Sequence, residues 1–98
     1  MGMINAVVLL KVDVHSIPET ASAIADIDKV SEVYSVAGEW DLVVIVRVKE
    51  HDELAEVITG RIDKIPGISH SSTLIAFQVF SKHDLERLFS VGFEDAPA

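Results

Sequence analysis

Between Val33 and Val48 the chain reads VYSVAGEWDLVVIVRV, two apolar runs rich in β-branched residues on either side of Gly38-Glu39-Trp40-Asp41. Valine, isoleucine and tyrosine fit a pleated strand, whereas glycine and aspartate punctuate turns, so the stretch predicts a β-hairpin. Gly38 can take a positive φ without steric cost and lets the chain reverse. Trp40 and Asp41 then stand at a strand mouth, a large apolar ring beside an anionic acceptor. Such a corner can bind a small molecule, and ordinary hairpins end the same way.

The elements around the hairpin follow in order. Ile4–Val12 is a nearly unbroken apolar run, as expected of a central strand buried on both faces. Ser16-Ile17-Pro18-Glu19 has the form of a capping box with proline in the first turn. The helix it predicts places Ile17, Ala21, Ile24 and Ala25 on one face and ends near Asp28. The hairpin strands are expected over 30–37, with Ser31 and Glu32 as polar interruptions, and over 42–48. His51-Asp52 caps a second predicted helix, with Leu54, Val57, Ile58, Ile62 and Ile65 at helical spacing. Gly60 inside it points to close packing against the sheet, and Pro66-Gly67 ends it. A last strand is expected over 68–80, polar in its SHSST half and apolar in LIAFQVF. His83–Phe89 reads as a short helix, and Gly92 onward as an acidic tail, so 81–98 forms a C-terminal segment distinct from a domain over 1–80.

Ile27-Asp28-Lys29-Val30 is echoed by Ile62-Asp63-Lys64-Ile65 thirty-five residues later, each at a helix end before a strand. The chain is therefore βαβ twice, the ferredoxin-like βαββαβ arrangement with a four-stranded antiparallel sheet. Two helices cover one face of such a sheet. The two central runs carry apolar residues toward both faces, with Val8 and Leu10 expected on alternate sides and Val44 and Ile45 likewise. The far face is then a large apolar patch, which soluble monomers avoid, and a second copy related by a two-fold axis is the simplest cover.

Charge and composition close off several functions. The net charge of −8 repels a polyanion, and the eight basic residues form no stripe, so direct nucleic-acid binding is rejected. There is no cysteine for disulfides, thiolate chemistry or cysteine metal sites. No run of about 20 apolar residues spans a bilayer, and the first residues lack a signal-peptide pattern, so a soluble cytoplasmic protein is expected. None of the four histidines has metal-ligand spacing. His70 lies among Ser69, Ser71, Ser72 and Thr73, but adjacent strand residues point apart and no acid orients the imidazole. The hydroxyl cluster suits hydrogen bonding to a small polar ligand or to a facing subunit. Glu39 and Asp41 alone make a weak cation site. No cofactor motif is present, and no metal is expected.

The segment Val33-Tyr34-Ser35-Val36-Ala37-Gly38-Glu39-Trp40-Asp41-Leu42 resembles the V-Y-x-V-x-G-x-Y-D-L stretch of the effector-binding domain of the Lrp/AsnC regulators. The resemblance takes in Ile65-Pro66-Gly67-Ile68 and Ser71-x-Thr73, which is similar to the family's Thr-x-Thr, and covers about Ile4 to Val79. It implies a ferredoxin-like fold that dimerises through its sheets, with dimers that often assemble into octamers. It also implies an amino-acid effector held between neighbouring dimers, near the turn and the hydroxyl-bearing strand. Carried over by position, this nominates Gly38, Glu39, Trp40 and Asp41 from the turn, with Ser71 and Thr73 from the strand. Trp40 stands where tyrosine is commoner and Ser71 where threonine is. The family's usual helix-turn-helix has no counterpart here, so the chain looks like a stand-alone effector domain acting through full-length regulators. The segment after Phe80 has no counterpart matched from sequence.

Three readings follow. The first is an amino-acid-binding, oligomerising module that modulates transcription through a partner. The second is a small dimeric ferredoxin-like monooxygenase, and the third a ligand-free assembly partner.

Overall fold

The apolar runs Ile4–Val12 (β1) and Leu42–Val48 (β3) take the two central positions of a four-stranded sheet. Its order is β2–β3–β1–β4, with β2 (Val30–Ser35) and β4 (Ile68–Ala76) at the edges and every pair antiparallel. The computed structural model describes residues 3–80; the helix expected over His83–Phe89 and the acidic tail lie outside them. Helices α1 (Ile17–Ala25) and α2 (His51–Ile58) complete the βαββαβ order expected from sequence.

Side chains alternate along a strand, and residues opposite one another across antiparallel strands share a face. Ala6, Val8 and Leu10 stand opposite Val46, Val44 and Leu42, and all six are fully buried with Ile24 and Ile62 in one core. Leu54, Val57 and Ile58 of α2 pack into the same core. Val8 and Leu10, expected on alternate sides, are two residues apart and so share the helix-covered face. The other face of β1 is carried by Val7 and Leu9.

Among the described residues no element covers that second face, as expected. Across the strands it reads Tyr34–Val43–Leu9–Ser72 in one row and Glu32–Ile45–Val7–Leu74 in the next, the one charge lying at the β2 edge. Val7, Leu9, Val43 and Ile45 are half-buried, whereas Tyr34 and Leu74 are 47% and 54% exposed.

Both helix starts differ from expectation. The chain enters α1 through a 3-10 turn, Val14–Ser16, whose cap is Asp13; its carboxylate accepts the His15 N–H at 3.1 Å. Ser16 therefore has φ −112° and ψ 3° instead of an extended cap conformation, and its side chain makes no capping bond. The buried face of α1 includes Thr20, whose hydroxyl donates to the Pro66 carbonyl at 3.4 Å, while Ala25 is exposed.

At α2 the cap is Glu50, one residue before the expected His51-Asp52. Glu53 reaches back to accept the N–H groups of Lys49 at 2.8 Å and Glu50 at 3.2 Å. These two bonds, the Lys49 bond foremost, hold the Glu53 carboxyl below the ordinary glutamate range. Its folded pKa is depressed, so its stabilisation is complete above the unfolded value and disappears as pH falls through the folded one. Glu53→Gln is expected to flatten the acid limb of stability, below about pH 4.3, in urea melts run at several pH values.

The helix predicted through Ile65 stops at Ile58. A Cβ on Gly60 would strike the Glu56 carbonyl of the preceding turn, so that glycine serves the helix end and not contact with the sheet. Ile62, at 0% exposure, enters the core from a separate 3-10 turn, Ile62–Lys64. The helical spacing of Ile62 reflects a shared core and not a shared helix.

Edge strands β2 and β4 are shorter than expected, ending at Ser35 and Ala76. Ser31 is the extra residue of a register shift between Val30 and Glu32.

The internal repeat is real but differently phased. Lys29 has φ +80° directly before β2, and Gly67 has φ +98° directly before β4. The Lys29 carbonyl accepts from Arg47 N–H at 3.0 Å, and the Gly67 carbonyl from Asp13 N–H at 2.8 Å. Lys29 thus corresponds to Gly67, thirty-eight residues on, not to Lys64. Only one copy uses the residue suited to that backbone. A left-handed non-glycine conformation costs about 1–2 kcal/mol, and glycine adds about 0.5–1 kcal/mol of unfolded-chain entropy. Lys29→Gly is therefore expected to stabilise the protein by about 0.5–1 kcal/mol, read as a rise of a few degrees in Tm.

Candidate functional site

The turn is built from its hydrogen bonds. The Val36 N–H donates to the Asp41 carbonyl at 3.0 Å and closes a loop over Ala37-Gly38-Glu39-Trp40. Gly38 has φ +133° with nothing within 4 Å of a built Cβ, so its requirement is purely conformational. Glu39 is exposed, and Trp40 and Asp41 are half-buried.

Asp41 fastens this turn to the end of β1. Its N–H donates to the Leu10 carbonyl at 2.9 Å, and its Oδ2 accepts the Val12 N–H at 2.9 Å. The hairpin backbone leaves β1 at this point, and the carboxylate supplies the acceptor that the next strand residue would have given. One oxygen of the expected ammonium acceptor is thus already engaged. Asp41→Ala leaves the Val12 N–H without its partner and is expected to cost about 1–3 kcal/mol. Asp41→Asn keeps an acceptor oxygen and should lose distinctly less in urea unfolding, so it is the variant that tests the charge alone.

Ser71 and Thr73 stand opposite Leu10 and Val8, on the far side of β1 from the hairpin. They point to the helix-side face, yet both are exposed because they sit on the edge strand. Two strand spacings, roughly 10 Å, separate the Asp41 side of β1 from β4. The six predicted residues therefore form two groups within one chain, four in the turn and two across the central strand. Ser71 lines a cavity of about 200 Å³ with Asp63, Ile68, Ser69 and His70.

Lys11, Ser69 and His70 are not among the residues nominated from sequence. Lys11 stands opposite His70 in the register, and its ammonium lies 5.9 Å from the centre of the Trp40 ring. The register shifts immediately after Lys11, between Lys11 and Val12. The Ser69 hydroxyl donates to the Lys11 carbonyl at 3.2 Å and lies 3.3 Å from His70 Nδ1. Since its proton points at a carbonyl, Ser69 is not arranged as a nucleophile activated by His70. Among the described residues no three His, Asp or Glu side chains are grouped to hold a metal ion, and no helix is long and apolar enough to cross a membrane. One signal in the sequence could have found Lys11: it is the single charge inside the apolar run Ile4–Val12.

The family model described as the Lrp/AsnC ligand binding domain matches residues 5–85, running past the Val79 limit read from sequence. PH1916 of Pyrococcus horikoshii, an uncharacterised HTH-type transcriptional regulator, is 37% identical over 59 residues, which are 60% of this chain and 39% of that one. FL11 of the same organism, an HTH-type transcriptional regulator, is 34% identical over 73 residues, 74% of this chain and 48% of its own length. The chain thus spans less than half the length of these curated relatives. The crystal structure of TTHA0845 from Thermus thermophilus superimposes with a TM-score of 0.77 at 39% identity, covering 82% of this chain and all of that one.

Proposed function

The chain belongs to the Lrp/AsnC ligand-binding domain family, and from that premise we propose that it is a cytoplasmic amino-acid-binding module. It dimerises through the open face of its sheet, can assemble further, and modulates transcription through a partner regulator of the same family. The observation that carries this is the corner at Gly38–Asp41, where a positive-φ turn, an indole and a carboxylate are held together at the end of β1. Turn amides and hydroxyls can donate to a ligand carboxylate, and the free oxygen of Asp41 can take an ammonium. Within one chain Ser71 and Thr73 lie apart from that turn, so in this reading they meet it from a neighbouring dimer. NMB0573 of Neisseria meningitidis, solved with L-Met, shares the fold at a TM-score of 0.72 and 9% identity. It supports amino acids as the ligand class without indicating which.

The open face supports the dimer. Val7, Leu9, Val43 and Ile45 form a contiguous apolar centre rimmed by Tyr34 and Leu74. Tyr34 donates its hydroxyl to Glu32 at 2.7 Å on the same strand, leaving its ring free to pack.

The test is a thermal-shift screen against the twenty amino acids at millimolar concentration. A ligand present at about 100 times its Kd adds about 2.7 kcal/mol, a shift of several degrees for a domain of this size. A selective shift supports the sensor. No shift with any of them overturns it and leaves the ligand-free assembly partner.

A further inference from the structure

We propose that Lys11 seats the carboxylate of the bound amino acid, so that the ligand is gripped by a side-chain cation from β1 as well as by the hairpin turn. The inference rests on the amino-acid-binding reading above and adds to it the chemistry of recognition.

Lys11 is the one charged residue on a strand otherwise apolar or amide-bearing, in a chain whose sixteen acids outnumber eight bases. An ammonium in such a field normally finds a carboxylate, but Lys11 makes no ion pair among the described residues. The obvious partner is Asp41, which bonds the residues on either side of Lys11, at Leu10 and Val12. That carboxylate is turned to the Val12 N–H instead. The ammonium lies over Trp40, whose ring face attracts a cation without neutralising it.

An ammonium has three donors and no acceptor, and contact with one ring face leaves donors directed outward. A cation held against an indole of the turn, with its carboxylate neighbour occupied, is a receptor for a small anion. The anion available in an amino acid is its carboxylate. With one Asp41 oxygen held by Val12, the turn still has an acceptor free for an ammonium but no cation of its own for an acid.

Trp40 is the only tryptophan, so its fluorescence reports on this contact directly. The intact chain is titrated with L-amino acids and with their α-carboxamides, alongside Lys11→Gln and Lys11→Arg; the melting curve of each variant shows that it is folded. The expected result is saturable change in Trp40 emission, at least tenfold weaker binding of the carboxamides, and at least tenfold weaker binding of the acids by Lys11→Gln. Lys11→Arg should recover most of the affinity, and Lys11→Gln should bind the carboxamides as wild type does. Equal acid binding by wild type and Lys11→Gln overturns the role of Lys11 and leaves the amino-acid module standing. Equal losses for acid and amide in Lys11→Gln overturn it too, since a merely structural lysine does not discriminate. Wild type binding no amino acid overturns both.

Discussion

Leu9→Glu is expected to turn the proposed dimer into a monomer without unfolding it. Leu9 lies at the centre of the open face, beside Val43 on one side and Ser72 on the other. In a lone chain the new carboxylate stays partly in water, and the loss is small. Between two facing sheets it is desolvated without a partner, which costs several kcal/mol for each copy. The dimer carries the lesion twice, so its Kd should rise by more than about a thousandfold, at roughly 1.4 kcal/mol per factor of ten. Sedimentation at micromolar concentration should show a monomer with an unchanged far-ultraviolet spectrum. A variant that remains dimeric places the subunit contact elsewhere.

One residue further along, the outcome is reversed. Leu10→Ala should damage the fold itself and have no direct effect on association. Leu10 is at 0% exposure among Val8, Leu42 and Ile24. Truncating a fully buried leucine loses its transfer energy and leaves a cavity that neighbours only partly fill, about 2–5 kcal/mol. Small domains have about 5–15 kcal/mol in all, so Tm should fall by roughly 10 °C or more. Comparing Leu9 and Leu10 by calorimetry and sedimentation separates the two faces of one strand.

The contrast shows what is readable in advance. Central strands β1 and β3 are plain from their apolar runs, and the open face follows from counting two helices against one sheet. Which leucine faces which side follows from a period of two once a register is known. The spacing predicts too long an α2 because Ile62 and Ile65 continue it; the collision awaiting any Cβ at Gly60 is a property of the folded backbone. The Ser16 box has the right letters, but the 3-10 turn before it fixes Ser16 at a ψ that capping does not use. At the site, Gly38 and Asp41 are legible as turn chemistry. The bond from Val12 to Asp41 joins residues twenty-nine apart, and the Lys11–His70 register spans more. No local pattern encodes either, which is why the sequence marks the turn and not the lysine beside it.

The matched positions Lys29 and Gly67 mark the chain as two similar halves, β1–α1–β2 and β3–α2–β4. Each lateral pairing in the sheet, β2 with β3, β3 with β1 and β1 with β4, joins a strand of one half to a strand of the other. Neither half owns a single strand-to-strand ladder. A break in the backbone between β2 and β3, within the hairpin turn, would therefore yield two fragments that are each without a sheet, and that recover the fold only by complementing one another. The repeat that looks like duplication of a unit is, in its hydrogen bonding, an obligatory partnership between two incomplete pieces.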